Sequence, residues 1–112
     1  MKKPICSFED FTKADLRVGQ VTAAEKVEGS EKLIALTVDF GEDWGTVEIL
    51  TGLQAFYDPS DFVNNKYVFI VNLEPRKMMG RMSNGMFLAA DIAEKPVPLQ
   101  MPDVTPNGSS VI

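Results

Sequence analysis

Arg76, Lys77 and Arg81 stand within six positions of one another in a chain of 112 residues whose formal net charge is −5. From Lys66 to Ala90 the cations Lys66, Arg76, Lys77 and Arg81 face only Glu74, so this stretch carries +3 and the remainder −8. A compact basic loop on an acidic chain is a place to hold an anionic partner, because phosphate contacts need donors and positive charge gathered at one point. Arg81 offers a fork of donors, while Ser83 and Asn84 add a hydroxyl and an amide suited to phosphate or to unstacked base edges. Gly80 and Gly85 permit the tight backbone that lets a ligand approach. Charge alone leaves a second reading open, a solvated loop that aids solubility.

Other chemistry is scarce. The chain has no histidine, which removes the Ser-His-Asp and Cys-His arrangements, the imidazole base and the usual zinc sets. Its acidic residues show no metal-binding spacing, and no glycine-rich phosphate loop is present. Catalysis is not expected, nor is a metal or a cofactor. The one cysteine, Cys6, cannot close an internal disulfide, so a reducing cytoplasm is the expected compartment. The N-terminal Met-Lys-Lys-Pro leads into Ser-Phe-Glu-Asp-Phe rather than a signal-peptide core, and no apolar run nears the ~20 residues of a membrane span. Met78, Met79, Met82 and Met86 form a dense local group that suits either an adaptable binding surface or rim packing. Asn72 interrupts an apolar strand and reads equally as a structural clamp or a ligand contact. Lys32 follows a Gly-Ser turn near the same rim.

Length allows one domain with one core. Ser7 caps a short helical turn in which Phe8 and Phe11 share a face and are expected to close over the core. From Leu16 the apolar period is two, with a phase slip at Gly19-Gln20 that reads as a β-bulge. Ile34, Leu36, Val38 and Phe40 alternate as a second strand, and Val47, Ile49 and Thr51 as a third, joined by a glycine-bearing hairpin at residues 41–45. Trp44 there reads as a cover on the barrel end. Residues 53–65 hold a short helix with Asp58 as N-cap and Pro59 at its first position. Tyr67 to Leu73 is apolar on both faces, as in a central strand, and Gly85 to Ala90 supplies strand five.

Five strands with a bulged first strand and a helical connection between strands three and four match the OB-fold, a five-stranded Greek-key barrel. The expected architecture is therefore all-β: residues 1–112 as one domain, a barrel core at 7–95 with a short N-terminal helix, and a C-terminal extension at 96–112. In such a barrel the loop between strands four and five lies at one rim, beside the face of strands two and three.

Four blocks then fall in order: Asp15-Leu16-Arg17-Val18-Gly19, Glu28-Gly29-Ser30-Glu31-Lys32-Leu33, Val71-Asn72-Leu73-Glu74-Pro75-Arg76-Lys77, and Ser83-Asn84-Gly85-Met86-Phe87-Leu88-Ala89-Ala90. From about Phe8 onward the chain resembles the tRNA-binding domain found at the C-terminus of many methionyl-tRNA synthetases. The same domain occurs in stand-alone tRNA-binding proteins, in aminoacyl-tRNA synthetase cofactors and in CsaA-type secretion chaperones. The resemblance implies an OB-fold that binds tRNA by overall shape and carries out no reaction, acting alone or as a subunit or domain of methionyl-tRNA synthetase. It places ligand contacts at Lys32, Asn72, Arg76, Lys77, Ser83 and Met86, to which the charge pattern adds Arg81. It also implies a homodimer, with Pro102 to Ser109 as the dimer-forming tail. The acidic composition and the lack of aromatic residues in the basic loop imply modest, salt-sensitive affinity. A chaperone that holds unfolded polypeptides through the methionines is the alternative.

Overall fold

The first strand, β1 (Leu16–Lys26), serves two neighbours with its two halves. Residues 16–20 pair antiparallel with β4 (Lys66–Ile70), and residues 20–26 pair with β2 (Ile34–Asp39). The β2 strand pairs along its whole length with β3 (Thr46–Thr51). The sheet closes through residues 83–87. The Asn84 N–H donates to the Glu48 carbonyl at 2.9 Å, and the short strand β7 (Met86–Phe87) pairs with β4. This is a nearly closed five-stranded antiparallel barrel of OB type, and the computed structural model describes it over residues 1–112.

Strand alternation explains the filling. Ile34, Leu36 and Val38 of β2, Ile49 of β3 and Phe69 of β4 are fully buried, and they meet Phe40, Phe62 and Phe87 in one cluster. Phe69 packs edge-on against both Phe40 and Phe87, with ring centroids 5.3 and 5.5 Å apart, the arrangement that aromatic quadrupoles prefer. Phe62 comes from the 53–65 connection, where a 3₁₀ turn (Pro59–Asp61) begins at Asp58. Asn64 ends that segment in a left-handed conformation, and the Asn64 N–H and Asn65 carbonyl pair with the backbone of Val21.

The bulge in β1 is displaced from its expected place. The register slips between Val21 and Ala23, leaving Thr22 without a partner, so that Ala24 rather than Ala23 packs on the core. Gly19 is there for another reason: a Cβ at this position would stand 2.5 Å from side-chain atoms of Phe40 and Val38. It leaves room for the Phe40 ring rather than bending the strand.

The basic loop is itself a β-hairpin, β5 (Arg76–Met78) and β6 (Arg81–Ser83), turning through Met79-Gly80. Expected strand five is split into β7 and β8 (Ala89–Ala90), because the chain leaves β4 after Phe87 to pair with β9 (Val97–Pro98). The extension then closes both open edges of the barrel. β10 (Gln100–Met101) takes the edge of β4 at Lys66 and Tyr67. Further on, the Val18 N–H donates to the Ser109 carbonyl (2.9 Å), the Gly108 N–H to the Val18 carbonyl (2.7 Å) and the Val111 N–H to the Leu16 carbonyl (2.8 Å). Unpaired strand edges invite association with other chains, and here the protein covers its own.

The N-terminal helix α1 (Phe8–Thr12) forms as its sequence directs, with the Ser7 hydroxyl accepting the Asp10 N–H at 3.0 Å. Phe8 and Phe11 do lie together, their rings 6.5 Å apart. They do not close over the core, however: Phe8 is 80% and Phe11 48% exposed. The two rings stand outside the core cluster and line an open groove with Leu16, Val111 and Ile112. No helix of the chain is long and apolar enough to cross a membrane.

Replacing Gly19 by alanine should overpack the Phe40 contact and cost about 1–3 kcal/mol, lowering the melting temperature by about 4–8 °C per kcal/mol. Calorimetry that finds no change would show that Phe40 is free to move aside.

Candidate nucleic-acid interface

The β5–β6 hairpin is seated on the outer face of β2 and β3 by packing, hydrogen bonding and charge together. Met78 packs against a second buried cluster, Val27, Ala35 and Leu50, which the hairpin covers. This is why Ala35 and Leu50, on the outward phase of their strands, are buried. Ser83 is 3% exposed, its hydroxyl accepting the Leu50 N–H at 2.9 Å and donating to the Gly85 carbonyl at 3.2 Å. Arg81 is held by two carboxylates. Its guanidinium forks onto both oxygens of Glu48 on β3, Nε at 3.0 Å, and reaches Glu25 on β1 at 3.0 Å. The hydrogen bonds to Glu48 and then Glu25 hold its pKa even higher than an ordinary guanidinium's.

Arg76 and Lys77 are placed differently. Both are exposed on the hairpin and neither joins an ion pair, although the strand beneath them is anchored by Met78 and Ser83. The turn before β2 meets the hairpin tip: a Cβ on Gly29 would lie 3.3 Å from the Met79 methyl carbon. That turn is stiff. The Ser30 hydroxyl accepts the N–H groups of Lys32 and Leu33, each at 3.1 Å, and the Gln54 N–H donates to the Lys32 carbonyl. Exposed Lys32 is thus carried to the hairpin's rim. The grouping is one of solvent-facing cations on a rigid backbone. Its chemistry is that of holding anions.

A family model described as "Putative tRNA binding domain" matches residues 16–110. The chain belongs to the tRNA-binding domain family. It is 41% identical over 110 residues to the methionine–tRNA ligase of Methanothrix thermoacetophila, covering 98% of this chain and 16% of that protein. The domain therefore corresponds to a small part of that curated relative. Among solved structures it superposes on a MetRS-related protein from Pyrococcus horikoshii with a TM-score of 0.92 at 33% identity, covering 98% of this chain and all of the other. The chaperone CsaA from Bacillus anthracis gives a TM-score of 0.86, also at 33% identity, covering 97% and 100%.

Within the domain the seven residues singled out from the sequence separate into three groups. Lys32, Arg76 and Lys77 face solvent around the hairpin. Met86 opens β7 half-exposed, over a shallow groove shared with Thr51, Leu53 and Ala90. Arg81, Ser83 and Asn72 are committed to the protein itself. The Asn72 Oδ1 accepts the Asp15 N–H at 2.8 Å and its Nδ2 donates to the Lys13 carbonyl at 2.6 Å. That clamp fixes the junction between α1 and β1, beside the groove of Phe8 and Phe11. Arg81 is paired with two carboxylates and Ser83 is buried, and both fix the hairpin in place.

The sequence reading missed Glu25 and Glu48. Glu48 was legible in part, since alternation with Val47 and Ile49 turns it outward. Glu25 lies 56 residues from Arg81, beyond a bulge that resets its face, and no local signal ties the two.

Ser83→Ala should strip the buried Leu50 N–H of its acceptor, at a cost of about 1–3 kcal/mol. A urea titration should show a lower midpoint at unchanged slope; an unaltered midpoint would mean that the hairpin is held without this bond.

Proposed function

We propose that the domain docks tRNA on the rim formed by Arg76, Lys77 and Lys32, recognising its shape and backbone and leaving its covalent structure unchanged. The observation that carries this reading is the pair Arg76 and Lys77, free of carboxylate partners on an anchored hairpin, in a chain of the tRNA-binding family. Arg81 is withheld by Glu48 and Glu25, so few phosphates are neutralised and affinity is modest. With two or three such contacts, log K should fall against log salt with a slope of about −2 to −3. The kinship to methionine–tRNA ligase supports a role as a subunit or domain that supplies tRNA to a synthetase, and the likeness to a MetRS-related chain matched over its whole solved length supports action as a separate chain. The expected setting is cytoplasmic, where exposed Cys6 stays reduced.

The homodimer belongs to the same reading. Phe8, Phe11, Leu16, Val111 and Ile112 line a groove of about 450 Å³, with Phe8 and Ile112 almost fully exposed. The extension contributes one wall of it. A second copy seated there would place two basic rims on one tRNA and raise avidity without new contacts.

Two measurements bear on this. In a gel shift with bulk tRNA across a salt series, Arg76→Ala/Lys77→Ala should bind more weakly and lose about two units of salt slope. Salt-indifferent capture of unfolded polypeptide, with no tRNA shift at low salt, would overturn the reading in favour of a chaperone. For assembly, Phe8→Glu/Ile112→Glu should halve the mass in light scattering while leaving the core intact; an unchanged mass would reject this groove as the contact.

A further inference from the structure

The turn of the basic hairpin is built from an unusual pair. Met79 and Gly80 both have positive φ, 51° and 77°, and the register Met78↔Arg81 leaves just these two residues in the loop. Two-residue turns with positive φ at both positions are dominated by asparagine, aspartate and glycine at the first. A long side chain there adopts a left-handed backbone at a cost, and such strain gathers where a side chain must be presented. Met79 is so presented: it is 55% exposed at the hairpin tip, with its methyl group beside the Gly29 turn. Lys77 and Met82 stand opposite each other on the two strands behind it, both exposed.

Resting on the tRNA reading above, we propose that Met79 is the base-contacting residue of this interface, a thioether laid against an unstacked base while Arg76 and Lys77 hold the neighbouring phosphates. Recognition of RNA loops and ends needs an apolar surface for splayed bases, and residues 75–86 contain no aromatic side chain. Sulfur packs favourably against aromatic rings, and an unbranched chain adapts to any of the four bases. Arg76 and Lys77 on the strand behind the tip draw in the phosphates that flank such a base, which makes single-stranded RNA the occupant of this tip.

The test separates presentation from scaffolding. Met79→Asn and Met79→Gly replace a strained residue by ones the turn prefers, so the melting temperature should stay or rise. Affinity for bulk tRNA should fall roughly two- to tenfold, the range of a lost sulfur–ring contact, with the salt slope unchanged because no charge is removed. Wild-type affinity in both variants would overturn the proposal. So would a fall in melting temperature alongside the lost affinity, which would make Met79 a strut against the Gly29 turn. Failure of the wild-type chain to bind tRNA at low salt would be a distinct result, removing the tRNA reading and this proposal with it.

Discussion

The structure depends on one strand having to serve two neighbours in turn along its length. β1 gives its first half to β4 and its second half to β2, and everything that closes the barrel follows from the change of partner. A strand that bends so sharply needs an extra residue, supplied at Thr22, and it needs room on its inner face, supplied at Gly19. It also leaves a stretch of backbone near Leu16 and Val18 that β2 is too short to cover. Residues 108–111 occupy that stretch, and Arg17 ties them down by donating to the Gly108 carbonyl at 3.1 Å while lying over the Trp44 ring.

The rim acquires its character from the same geometry. Because β1 curls across β2 to bring Glu25 beside Glu48, the concave outer face presents two carboxylates where the hairpin lands. Arg81 meets both of them. A compact charge excess along the sequence therefore becomes a more balanced surface in space, with only the outward-facing cations left for a partner. Long-range charge pairing of this kind trades electrostatic reach for a defined hairpin position.

The architecture was largely legible because its strands announce themselves. Ile34, Leu36, Val38 and Phe40 alternate without interruption, Tyr67 to Val71 is apolar on both faces, and Asp58-Pro59 marks its turn by side-chain chemistry alone. The β5–β6 hairpin was not legible, since Arg-Lys-Met and Arg-Met-Ser lack the branched and aromatic residues that mark strands and Met-Gly is a poor turn signal. The bulge was misplaced for a related reason: glycine in a strand has two uses, and only the position of Phe40 tells them apart. Phe8 and Phe11 carried the right helical spacing, but spacing fixes which side chains lie together and not what lies beneath them. At the interface, Lys32, Arg76 and Lys77 were found by type and order. The commitments of Arg81, Ser83 and Asn72 depend on partners that folding brings from 33 to 59 residues away.

The pairing of residues 108–111 with Leu16 and Val18 also orders the folding of the chain in time. Contacts between such distant segments must wait for loop closure and lengthen the search for the native state. On the ribosome, the edge of β1 stays open until residues 108–111 have emerged, although β1, β2 and β3 are free to form well before. The nascent barrel passes through an interval in which its first strand is a template for any extended segment nearby. The tail is thus the domain's own guard against misassembly, and it arrives last.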